Sequence, residues 1–172
     1  MTAPTPEPPP APPALPVIDG RRGWHVALLW GFETAMAQGA RRIVVVDPDF
    51  ADWPLDDAAL LQGLTDWLRL PQRRLVLVAA GFDALPRRCP RFNAWRAPWS
   101  HAIEGWQAPE DMARDLPTVL SCDGAVSVQL IDALHWRGRA ALDARRARQW
   151  CEEIDVVLQR SEQALAVRTL GL

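Results

Sequence analysis

The sequence predicts an α/β fold: one domain in which a mixed β-sheet is flanked by helices as an α/β sandwich. Two apolar β-branched runs, RRIVVVD at 41–47 and RRLVLVAA at 73–80, have the continuous character of strands buried on both faces. Each is preceded by a stretch with apolar residues spaced at three and four, the helical repeat. Beyond residue 117 two further apolar runs follow with no helix between them, which calls for antiparallel pairing in the same sheet.

The first helix is expected over 24–38, where Leu28, Leu29, Phe32, Ala35 and Met36 share a face and Gly39 supplies the stop. The strand at 41–47 follows. Residues 56–70, DDAALLQGLTDWLRL, carry Leu60, Leu61, Leu64, Trp67 and Leu68 on one face. Asp56 and Asp57 stand at its N-cap and first turn, and Pro71 ends it. After the strand at 73–80, Pro86 and Pro90 break residues 82–97 into a helical loop. SHAIEGWQ at 100–107 reads as a short strand. Residues 117–132, PTVLSCDGAVSVQLID, read as a hairpin turning on the two residues Asp123-Gly124. A short edge strand lies within 134–143. A last helix over 144–163 carries Ala147, Trp150, Cys151, Ile154, Val157, Leu158 and Ser161. No internal repeat is present.

The 172 residues suit one core with tails: a Pro-rich tail over 1–18, a domain over 19–165 and a C-terminal tail over 166–172. Residues 1–16 hold eight of the 16 prolines, the composition of a disordered or polyproline-type leader. The net charge of −2 leaves no electrostatic footprint for nucleic acid. No apolar run approaches the roughly 18 residues of a membrane span, and no signal pattern opens the chain, so a cytoplasmic protein is expected. Cys89, Cys122 and Cys151 form no C-x-x-C and read as reduced, partly buried thiols.

The chain contains no Lys and no Tyr. A phosphate-loop lysine, a Schiff base and a Ser-Lys dyad are therefore excluded. His25, His101 and His135 lack zinc-ligand spacing, and no G-x-S-x-G is present. No cofactor and no metal are expected. Nine tryptophans divide between core positions, such as Trp67 and Trp150, and the crowded Trp95, Trp99 and Trp106, which read as packing or as an aromatic surface for a partner. Doubled arginines, among them Arg41-Arg42 and Arg145-Arg146, read as solvated element ends.

Asp47-Pro48-Asp49 at the end of the first strand is the one acidic motif at a catalytic position. In haloacid-dehalogenase-like phosphatases a strand-end Asp-x-Asp supplies a nucleophile, then an acid/base, and both help hold Mg²⁺. Asp47 and Asp49 match that much. The next pattern position is Ala51 rather than a hydroxyl or branched residue, and the phosphate-neutralising Lys is absent. An acidic nuclease would recruit Asp47, Asp83 and Asp123. The competing reading is a turn, because Pro48 fixes its own φ and holds Asp47 extended while Asp49 and Asp52 accept backbone N–H bonds.

The element order and two local patterns resemble the phospholipase D-like superfamily, across about residues 20–165. In PTVLSCDGAVSVQLID, alignment on Asp123-Gly124 with that family's His-x-Lys-x-x-x-x-Asp puts Leu116 at the His position and Thr118 at the Lys position; only Asp123 is retained. The closing ARRARQWCEEIDVVLQRSE after Asp143 is similar to the last segment of such domains. The front half resembles small bacterial domains of this kind. His135-Trp136-Arg137 followed by Asp143 mimics the motif with the Asp one residue too far. In active members the His attacks phosphorus and the Lys stabilises the phosphoryl oxygens, tasks that Leu116 and Thr118 cannot perform. The resemblance implies a pseudoenzyme: a non-catalytic domain acting as a binding or accessory module, with an unknown protein partner or a second copy of itself. The alternatives are a Mg²⁺-dependent phosphohydrolase or nuclease using Asp47 and Asp49, and a structural homodimerisation module.

Overall fold

The computed structural model describes residues 14–165. The expected C-terminal tail and most of the expected leader lie outside them. Ile18 is already buried at 5% exposure and Asp19 bridges Arg137.

The chain runs α1 (Arg21–Ala37), β1 (Arg42–Val46), α2 (Ala58–Leu68), β2 (Arg74–Ala79), α3 (Leu85–Arg88), α4 (Pro90–Trp95), β3 (Ile103–Gln107), α5 (Glu110–Ala113), β4 (Thr118–Cys122), β5 (Val126–Asp132), β6 (Arg137–Leu142), α6 (Ala144–Leu158) and β7 (Glu162–Gln163). The strands form one seven-stranded sheet in the order β6-β5-β4-β1-β2-β3-β7. β1, β2 and β3 are parallel neighbours, and β4, β5 and β6 continue antiparallel from the other side of β1. The result is a single α/β domain with a mixed sheet flanked by helices, as the two apolar runs and the hairpin predict.

Side-chain alternation divides the core. Ile43, Val45, Leu75, Leu77, Leu120 and Val128 face the larger cluster, with Leu28 and Phe32 of α1 and Leu64 and Trp67 of α2. Val44, Val46, Val76, Val78 and Val119 face the smaller one, under Trp150 and Ile154 of α6. Burial on both faces is why β1 and β2 read as unbroken apolar runs. Gly31 lets α1 press onto the sheet, since a Cβ there would stand 2.8 Å from Val128 Cγ2.

Four expectations are corrected. The last helix stops at Leu158 rather than 163: Arg160 and Ser161 donate to Val157 and Leu158 in a tightened turn, and Glu162–Gln163 then pairs with β3. The hairpin connection spans residues 123–125, not two residues; Asp123 bends back to accept from the backbone N–H groups of Arg41 and Arg42. Asp57 is the N-cap of α2, donated to by Leu60 N–H, whereas Asp56 leaves that helix and accepts from Arg91 and Phe92 N–H at the start of α4. The first helix starts at Arg21, a turn earlier than its apolar face. The helical loop is two short helices and a 3₁₀ turn (Ala97–Trp99), each with Pro in its first turn, where a missing N–H costs nothing.

Candidate functional site

Parallel α/β sheets bind ligands at the carboxyl ends of their strands, where neighbouring connections diverge. Here that place is the end of β1, which has parallel β2 on one side and antiparallel β4 on the other. Both sequence candidates arrive there. The antiparallel register opposes Val46 to Val119, so the next pair outward is Asp47 and Thr118.

Asp47 is 9% exposed, and its oxygens are committed. Oδ2 accepts from the backbone N–H of Asp49 at 3.1 Å and of Phe50 at 2.7 Å. Oδ1 accepts from Thr118 Oγ1 at 2.9 Å. Burial raises the carboxyl above its ordinary value; the bonds from Asp49, Phe50 and Thr118 pull it back down. The buried Trp53 indole N–H also lowers it, from outside strict hydrogen-bond geometry, and has no other partner among the described residues. Phe50 takes φ +59°, an unusual conformation for a non-glycine residue. The Asp47 bond to its N–H and the rings of Trp53 and Phe82, 5.2 and 6.2 Å away between centroids, hold it there.

Asp49 does not join Asp47. It is exposed, and its Oδ1 accepts from Ala51 N–H at 2.9 Å. Asp52 pairs with Arg21 at 2.8 Å. Hydrogen bonds that tie the 47–57 loop to itself and to α2 thus occupy Asp47, Asp49 and Asp57. Asp123 lies at the far end of β4, roughly 16 Å from Thr118 at 3.3 Å per residue. Asp47 and Asp123 therefore cannot share one cation, and among the described residues no group of three His, Cys, Asp or Glu side chains is arranged to hold one.

Of the three positions aligned with the phospholipase D-like motif, Leu116 packs against the smaller core cluster, Thr118 bonds Asp47 and Asp123 caps the start of β1. On the α6 face of the same strand ends lies a cavity of about 140 Å³ lined by Val46, Val78, Pro117, Ile154 and Val157. Its charged lining residue is Glu153, a carboxylate, and among the described residues no arginine lines it to hold a phosphate. Sequence spacing gave no warning of this cavity, because Pro117 and α6 are joined only by the fold.

The remaining candidates are dispersed. His25 bonds the carbonyl of Asp52, and His135 bonds Asp132. All three cysteines are free thiols; burial pushes Cys89 up to about 11 and raises Cys122 and Cys151. Trp67 and Trp150 are core residues as expected, and Trp67 donates to the carbonyl of Ala40. Trp95 and Trp99 pack partly buried on the larger cluster, tilted at a 6.5 Å centroid separation, while Trp106 lies on the opposite face. No helix among the described residues is long and apolar enough to cross a membrane. No protein-family model matches the chain, and no curated protein sequence does.

Proposed function

We propose that the chain is a non-catalytic domain of phospholipase D-like type, working as a binding or accessory module. The observation that supports this reading is the bonding of Asp47. Its two oxygens accept from Asp49 N–H, Phe50 N–H and Thr118 Oγ1, which leaves it a loop anchor rather than a nucleophile or metal ligand. The position equivalent to the catalytic Lys is a hydroxyl spent on that anchor, and the equivalent of the His is a packed leucine. A phosphoryl group brought to this strand end would meet apolar side chains and Glu153.

The test is hydrolysis of an activated phosphodiester such as bis(p-nitrophenyl) phosphate, with Mg²⁺ and with chelator. The reading predicts the buffer rate in both. Turnover that saturates with substrate and disappears in Asp47→Asn would instead establish the phosphohydrolase reading.

A further inference from the structure

The geometry points to the outer edge of β6 as a docking site for an extended acidic peptide, which would add to the sheet as a further strand. This inference rests on the reading of the domain as a binding module.

β6 is the terminal strand of the sheet. Among the described residues its outer edge carries a single backbone bridge, Asp19 opposite Arg137, with Gly20 N–H donating to Trp136 O, and the Ile18 side chain lies beside Gly138. No backbone hydrogen bond from another described residue reaches the outer side of 138–142. An open edge is a template for strand addition. The segment ahead of Asp19 starts such a strand, and Pro16 has no N–H with which to continue it.

The side chains beside this edge specify the occupant. Arg139 pairs with Gln129 in the ladder, and Arg146 of α6 donates to Gln129 Oε1, so the three residues share the α6 face of the sheet. Arg137 is two residues from Arg139 and lies on the same side. Arg146 also lies over the Trp150 ring, 5.1 Å from its centroid, which braces the guanidinium. Among the described residues Arg137, Arg139 and Arg146 have no carboxylate within ion-pair distance. An incoming strand along 138–142 presents alternate side chains to this face, so a carboxylate opposite Arg139 would stand diagonal to Arg137, within reach of its long side chain. Asp19 stands opposite Arg137 in the bridge without forming an ion pair with it. The same arginines oppose pairing with the β6 of a second copy, because two basic rows would lie side by side.

The experiment is a fluorescence-anisotropy titration of the full chain with a labelled peptide of about ten residues alternating Glu and Val. Saturable binding that weakens with salt and falls roughly tenfold in Arg139→Glu is expected, with a parallel fall in the independently prepared Arg137→Glu. A peptide with Pro at alternate positions should bind worse, since it cannot pair along the edge. Absence of saturable binding, indifference to both charge reversals, equal binding of the Pro-containing peptide, or tighter binding of single-stranded oligonucleotide would each overturn the inference. None of these outcomes bears on phosphodiester turnover, which tests the underlying reading separately.

Discussion

Thr118 Oγ1 donates to Asp47 Oδ1 at 2.9 Å across 71 residues of sequence. That bond joins the start of β4 to the end of β1 and turns the most suggestive acidic residue in the chain into part of its framework. Replacing Thr118 with Val keeps the shape and leaves one carboxylate oxygen short of a donor. Chemical denaturation should show a loss of about 1–3 kcal/mol, with the larger loss in Asp47→Ala, where two backbone N–H groups also lose their acceptor. A Thr118→Val, Asp47→Asn double-mutant cycle should show clear coupling, and strict additivity would mean that the bond contributes nothing.

Asp47 also sets a pH dependence. Its folded-state carboxyl titrates above the ordinary 3.8, so between that value and the raised one the native state holds more protons than the unfolded chain. Stability contributed by Asp47 is therefore greatest below pH 3.8 and declines as pH rises through the raised value, then stays level. Urea unfolding of the wild type and Asp47→Asn across acid pH should show the wild type losing ground to the variant as pH increases. A difference that grows in the opposite direction would mean that the hydrogen bonds outweigh burial.

The strands and helices that bury a face were legible in sequence, and the partnerships between them were not. Ile43–Val46 and Leu75–Ala79 could be recognised because both their faces meet side chains, which forces a continuous apolar run. Asp57 was legible as a cap because it precedes a strong helical pattern, but Asp56 was assigned to the same helix when it serves α4 instead, 35 residues on. Asp123-Gly124 looked like a two-residue turn, and no local signal revealed that Arg41 and Arg42 would draw Asp123 out of it. At the candidate site, Pro48 disclosed a turn. The bond to Thr118 depends on β1 pairing with β4, which no spacing within either strand encodes.

Gly138 admits no side chain, because a Cβ would collide with the backbone carbonyl of Gln129 on the neighbouring strand. Gly138→Ala should loosen the β5–β6 pairing, lower the thermal midpoint and speed amide exchange along β6 before the rest of the sheet. Unchanged exchange in residues 138–142 would contradict this placement of the edge strand.

The Cys89 thiol is buried at 2% exposure and pushed up to about 11, with Asp56 contributing after burial itself. At pH 8 it should be nearly inert to a thiol reagent in the folded protein and react fully once denatured, as should the buried Cys122. Rapid labelling of either thiol under native conditions would indicate an opening that the packed structure does not contain.

Under the proposed function Asp47 anchors the loop rather than a metal-bound phosphate. Mn²⁺ titration followed by paramagnetic broadening of backbone amides tests it most directly, because Asp49 and Phe50 N–H lie within hydrogen-bond distance of the carboxylate. No selective broadening is expected at these two amides compared with exposed carboxylates such as Glu110 and Asp111 in the first turn of α5. Saturable broadening centred on Asp49 and Phe50, abolished in Asp47→Asn, would contradict it.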